Sequence, residues 1–228
     1  MKIDFFKKIR ILDGGMGQAL LANGVKPRGS LWSATALIEK KYHQLVVDAH
    51  LEFIKSGADV IVTNNFSARR TRMIQNGVNE HFNYANEKAG ELALKAKEIS
   101  KKNILIGGSL PAQNDTYTLD RREKKIIEKG FSDQASILKP FVDFYYLDVL
   151  CGSKECEIAL NVTKKLNLPV FRLNDGTVTK HLNQTFKKFL RDIDLLVDTK
   201  TEQQRTLYCL RHTYATFQLV NNNVDIHT

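Results

Sequence analysis

Two aspartates, each at the end of an apolar run, are the residues of this chain whose types and spacing best suit chemistry. Asp13-Gly14-Gly15 follows Ile11 and Leu12 and precedes a helix-like segment over 17–23. Glycines there permit positive φ and close backbone approach, and the aspartate accepts hydrogen bonds from an amine, so the turn suits an amino-acid ligand. The same residues also read as a helix cap and a bend. The run is no G-x-G-x-x-G loop and has no Walker lysine, which argues against a phosphate cradle. Asp148 is the second carboxylate, with Glu155 one or two turns into the next helix. Two carboxylates can hold one α-amino group between them, although Glu155 also reads as a first-turn acid favoured by the helix dipole.

Cys151 and Cys156 invite a metal reading, but their C-x-x-x-x-C spacing has no second pair and no nearby histidine, and matches no strong zinc signature. With Cys209 they make three cysteines, too few for a disulfide framework, so free thiols in a reducing compartment are expected. The histidines at 43, 50, 81, 181, 212 and 227 are dispersed singly. No metal site is read from these residues.

Such groups need elements that bring them together. Strand-like runs fall at 10–12, 59–63, 103–107, 144–149 and 169–171, and helical stripes lie between them. Tyr42, Val46, Ala49 and Phe53 mark one stripe; Ala85, Ala89, Leu92, Ala96 and Ile99 mark another. Alternation of this kind predicts an α/β fold with a parallel sheet, in which the loops after the strand C-termini share one face. Asp13-Gly-Gly15, Asn64-Asn-Phe-Ser67, Gly108-Ser-Leu-Pro111 and Asp148-Val-Leu-Cys-Gly-Ser153 would converge there. From Arg172 the pattern changes to helical stripes, Leu182, Phe186 and Phe189, then Leu210, Tyr214 and Phe217, with no strand between. Two segments are therefore expected, 1–171 and 172–228.

The 228 residues carry a formal net charge of +9, with lysines interspersed among acids, which reads as a solvated basic surface ahead of a nucleic-acid footprint, the alternative that the basic balance leaves open. No apolar run approaches the ~18 residues of a membrane span, and the start lacks a signal-peptide pattern, so a cytoplasmic protein without membrane contact is expected.

Residues 8–171 resemble the homocysteine S-methyltransferase family. The matching segments are Ile11-Leu-Asp-Gly-Gly-Met-Gly17, Ser56-Gly-Ala-Asp-Val-Ile-Val-Thr-Asn-Asn-Phe66, Ile106-Gly-Gly-Ser-Leu-Pro111 and Val142-Asp-Phe-Tyr-Tyr-Leu-Asp148 running into Glu155. The resemblance implies a (β/α)8 TIM-type barrel, here truncated to about four and a half βα units and followed by a short, mainly helical tail. It implies transfer of a methyl group from a sulfonium or betaine-type donor to the homocysteine sulfur. It places substrate contacts at Asp13, Gly14, Thr63, Asn64 and Asp148; Asp148 stands where the family usually has a glutamate, which shortens the carboxylate arm. Zinc in the family is held by three cysteine thiolates on later strands and keeps the substrate thiol deprotonated. Those ligand segments are missing here, so impaired catalysis is expected.

The tail is similar to a piece of a phage-type tyrosine recombinase. Thr206-Leu-Tyr-Cys-Leu-Arg-His-Thr-Tyr-Ala-Thr216 matches that family's H-x-L-R-H-T-x-A-T box, with Tyr208 in place of the first histidine. The resemblance implies Arg211 as a phosphate-binding donor, and DNA as an alternative partner. A third expectation is a fusion of two partial frames near Phe171, with no function.

Overall fold

The computed structural model describes residues 10–168 and, further on, residues 187, 190, 191, 196, 197, 202 and 204. The chain divides into two compact units, Met1–Phe171 and Arg172–Thr228.

In the first unit, strands β1 (Val60–Val62), β2 (Leu105–Pro111) and β3 (Phe144–Asp148) form a parallel sheet in that order. Val62 lies opposite Gly107, Gly107 opposite Phe144, and Ser109 opposite Tyr146. The helices are α1 (Met16–Ala22), α2 (Thr35–Ile38), α3 (His43–Lys55), α4 (Arg70–Gln75), α5 (Phe82–Ser100), α6 (Lys124–Leu138) and α7 (Ser153–Lys165). Parallel neighbours need a crossover, and long helices α5 and α6 separate the three strands.

Side chains alternate along a strand, so each strand divides its residues between two faces. Ile61, Ile106, Leu110 and Tyr145 point one way and pack with Ala93, Ile127, Phe131, Leu138, Ile158 and Val162. Val62, Ser109, Tyr146 and Asp148 occupy the alternate positions. A second apolar cluster joins Leu20 of α1, Leu31, Leu37, Val46 and Val47 of α3, and Phe82, Ala85 and Ala89 of α5.

The strand expected over 10–12 is reduced to one parallel bridge, Leu12 to Val60. Ile11 and Leu12 are 57% and 41% exposed, so little apolar burial extends the pairing before the Asp13 turn. Of the first stripe Val46 and Ala49 are buried, while Tyr42, just ahead of α3, and Phe53 are partly buried against the same cluster. The α5 stripe is buried apart from Ile99, which is half exposed in the last turn before Lys101 (φ 52°) ends the helix. The fifth strand candidate, 169–171, lies outside the described residues.

In the second unit Val197 and Gln204 form an antiparallel bridge, and Lys187 Nζ donates to Gln204 Oε1 at 3.2 Å. The stripes at 182, 186, 189 and at 210, 214, 217, together with Cys209, Arg211 and the 206–216 box, lie outside the described residues. Among the described residues no helix is long and apolar enough to cross a membrane.

Candidate functional site

Asp13 leaves the Leu12 bridge directed at the end of β1. Its amide donates to Val60 O at 2.9 Å, and its Oδ2 accepts from the Val62 amide at 2.7 Å. The carboxylate is thus committed to the sheet and does not cap α1, whose N-cap is Gly15 with no side-chain bond. Gly15 sits at φ −72°, so positive φ is not what this turn requires of it. Gly14 serves close approach: a Cβ there would fall 2.8 Å from Phe53 Cε1. Burial raises the Asp13 pKa to about 7 against the lowering effect of the Val62 amide, and the Asp148 charge raises it further.

Asp148 ends β3, half-buried, and its Oδ2 accepts from Ser109 Oγ of β2 at 2.9 Å. Burial raises its pKa and the Ser109 bond opposes that rise. Tyr146, two residues earlier on the same face, has its phenol pushed up by burial and by the charges of Asp148 and Asp13. Two carboxylates from segments far apart in sequence therefore sense one another across a single site.

A pocket of about 250 Å³ contains both. Its walls include Gly14, Thr63, Asn64, Tyr146, Phe66 and Trp32. Trp32 lies in a 3-10 stretch, Gly29–Ala34, with φ 48° and ψ −124°, a conformation that is an outlier for a bulky residue. A Cβ on Gly17 would fall 2.8 Å from the Trp32 ring, so the indole rests directly on α1. Asn64 Nδ2 donates to Ser33 O at 3.1 Å and ties the β1 loop to the same stretch. Val149, immediately after Asp148, also has positive φ, 55°, which is costly for a β-branched side chain. Backbone strain thus flanks the pocket on two sides.

Below the pocket lies a buried amide network. Thr63 Oγ1 donates to Asn65 Oδ1 at 2.7 Å and accepts from the Ser109 amide at 3.0 Å. Asn65 Nδ2 donates to Ser109 O and to Asn86 Oδ1. Gln134 Nε2 reaches the same Asn86 oxygen, and Gln113 Nε2 donates to Gln134 Oε1. Glu155 closes this chain, not the pocket: it is 2% exposed, and its Oε1 accepts from the Gln113 amide at 3.0 Å. Glu155 is thus the first-turn acid of α7, as one sequence reading had it, and is turned to the Gln113 amide and not to the pocket. Thr63 and Asn64 line the pocket with their named hydrogen bonds directed into the protein.

Ring faces carry negative charge density, and carboxylates accept hydrogen bonds and are negative when ionised, so a pocket walled by Trp32, Phe66, Asp13 and Asp148 suits a small cationic ligand. The residues do not suit zinc. Among the described residues no group of three or more histidines, cysteines or carboxylates is placed to hold a metal ion. Cys151 is exposed, and burial pushes the Cys156 thiol up, away from the thiolate that zinc binds.

A family model described as homocysteine S-methyltransferase matches residues 10–196, running past Phe171 into the opening of the tail. Homocysteine S-methyltransferase of Escherichia coli (strain K12) is 35% identical over 109 residues, 45% of this chain and 34% of that protein. Homocysteine S-methyltransferase 1 of Arabidopsis thaliana is 32% identical over 89 residues, 39% of this chain and 27% of that protein. The matched stretch thus spans about a third or less of the length of these curated relatives. Among solved structures, the metallated form of the homocysteine methyltransferase MmuM from Escherichia coli superposes with a TM-score of 0.65 at 22% identity. That superposition covers 93% of this chain and 82% of MmuM, and at such identity it shows a shared fold.

Proposed function

Because the chain belongs to the homocysteine S-methyltransferase family, matched over residues 10–196, we propose that its pocket holds L-homocysteine by the ammonium group. The observation that carries this reading is the joint placement of Asp13 and Asp148 in one small pocket, each with one oxygen already pinned by the protein. Pinned acceptors lose little freedom when the ligand arrives, so they orient the amine at low entropic cost. With the amine fixed, the thiol is carried to a set position in the pocket. Trp32 and Phe66 offer faces to a cationic sulfonium or betaine-type methyl donor. In the family's reaction the sulfur forms a new bond to the methyl carbon as the donor's bond breaks, and the electron pair leaves with the donor.

Zinc, where the family carries it, supplies a thiolate at neutral pH. The donor set among the described residues does not fit it, so we propose ligand binding with impaired methyl transfer by this chain. The chain is taken as a partial (β/α)8 barrel in a cytoplasmic setting; the sequential parallel strands and the MmuM superposition support the barrel. Calorimetry with L-homocysteine tests the reading. Binding that is weakened about tenfold or more in both D13N and D148N supports it, and no binding by the unaltered chain at millimolar ligand overturns it.

For the segment beyond residue 196 the recombinase resemblance rests on the 206–216 box alone, and DNA binding through Arg211 is its consequence. A gel-shift titration decides it: affinity should fall steeply with salt and be lost in R211A, and salt-independent or absent binding removes that reading.

A further inference from the structure

The inference concerns Ser109, and it rests on the reading that the pocket holds an ammonium group. We propose that Ser109 is a positioning residue, fixing the Asp148 carboxylate through Oδ2 so that Oδ1 alone faces the ligand.

Ser109 is fully buried, and its backbone is held on both sides. Its amide donates to Thr63 Oγ1 at 3.0 Å, and its carbonyl accepts from Asn65 Nδ2 at 3.0 Å. A residue clamped in this way has little freedom except rotation of its hydroxyl. That hydroxyl donates to Asp148 Oδ2 at 2.9 Å. Asp148 lines the pocket, and among the described residues its Oδ1 has no partner, which leaves that oxygen available to a ligand there. The strand register explains why the contact spans two strands. Ser109 lies opposite Tyr146, and Asp148 lies opposite Pro111, so Ser109 reaches diagonally toward the strand end.

The charged and titratable groups around Asp148 are few. Asp13 faces it from the segment ahead of β1, and Tyr146 stands beside it on β3. The Asp148 charge raises the pKa of both, and burial raises that of Asp148 itself. The Ser109 hydroxyl works in the opposite sense by stabilising the ionised carboxylate. Glu155 of α7 is turned to the Gln113 amide and takes no part. The serine thus has two linked effects, orientation of one oxygen and retention of the charge that an ammonium requires.

The test is S109A in the full chain, with ¹³C-labelled aspartate and with D148N to assign the Asp148 carboxyl signal. In S109A the Asp148 titration midpoint should rise, and the Kd for L-homocysteine should weaken several-fold at pH values near and below that midpoint. The weakening should shrink as pH rises, because Asp148 then ionises without help; a purely structural defect would not recover. An unchanged Asp148 midpoint, or a loss of affinity equal at every pH, overturns the proposal. If the unaltered chain binds no L-homocysteine, the functional reading falls, while the Asp148 midpoint still decides the role of Ser109. Should S109A fail to fold by circular dichroism, S109C keeps the volume with a weak donor and carries the same titration.

Discussion

The Val62 amide donates to Asp13 Oδ2 at 2.7 Å, so the carboxylate that faces the pocket also fastens the first segment to β1. With the Asp13 pKa raised to about 7, the empty site is close to half protonated at neutral pH. An ammonium ligand selects the ionised form. Calorimetry in buffers of different ionisation enthalpy should therefore show proton release on binding near and below pH 7, with affinity rising as pH rises through 7. D13N should abolish the proton release and weaken binding by about 10- to 100-fold, the range for a hydrogen bond to a charged group. Binding heats independent of the buffer would contradict this.

His50 gives a second pH signature. It is fully buried on α3, both ring nitrogens lack partners among the described residues, and burial pushes its pKa down to about 3. The unfolded chain binds a proton at this histidine below about pH 6.5 while the folded chain does not, so its contribution to stability falls as pH falls from about 6.5 toward 3. Asp13 acts with the opposite sign: its folded pKa is the higher one, so its contribution falls as pH rises from about 4 to 7. H50L should be more stable than the parent by about 1–2 kcal/mol at pH 7, because two unsatisfied polar atoms are removed. That difference should widen by about 2 kcal/mol between pH 6.5 and 5. Urea unfolding of both proteins across that window checks it, and a constant difference would refute it.

Trp32 is the sole tryptophan of the chain and lines the pocket, so intrinsic fluorescence reads the site directly. L-homocysteine should change its emission, and a titration of that signal should reproduce the calorimetric Kd. G17A puts a methyl where the indole ring lies, so the ring must move. Its emission should shift to the red, and the ligand response should fall several-fold. An unshifted spectrum would show that the indole does not rest on Gly17.

Asn65 is the test of the buried network. Its side chain serves Thr63 Oγ1, Asn86 Oδ1 and Ser109 O, and it is fully buried. N65A leaves these groups unmatched and should cost about 2–4 kcal/mol, read as a lower urea midpoint. N65D is nearly the same shape, yet it should cost more than N65A. Its second oxygen would point at two acceptors where a donor is required.

The sequence shows the carboxylates and not their surroundings. Thr63 and Asn64 follow β1, Asp148 ends β3, and Asp13 and Gly14 follow the Leu12 bridge. These five residues line one pocket because parallel pairing delivers the C-terminal ends of its segments to one side. Trp32 carries no periodic signal, since a 3-10 stretch with a positive φ at an aromatic residue obeys no spacing rule. Its uniqueness in the composition was the one available hint. Ser109 and Tyr146 depend on lateral register, which no single strand encodes. Glu155 was readable as an acid near a helix start, but its burial against the Gln113 amide follows from how α7 meets the loop after β2. The α6 face, Ile127, Phe131, Ala135 and Leu138, did carry a plain helical spacing.

The partners of Asn65 have a kinetic consequence for the loop it occupies. Ser109 lies 44 residues away along the chain and Asn86 lies 21 away, so no local piece of chain can satisfy this side chain. The 63–67 loop can settle only after β2 and α5 have docked, and it can loosen only if they part. Hydrogen exchange at the Ser109 amide, which is held by Thr63, should therefore require opening of that whole cooperative unit and not fraying of a single loop.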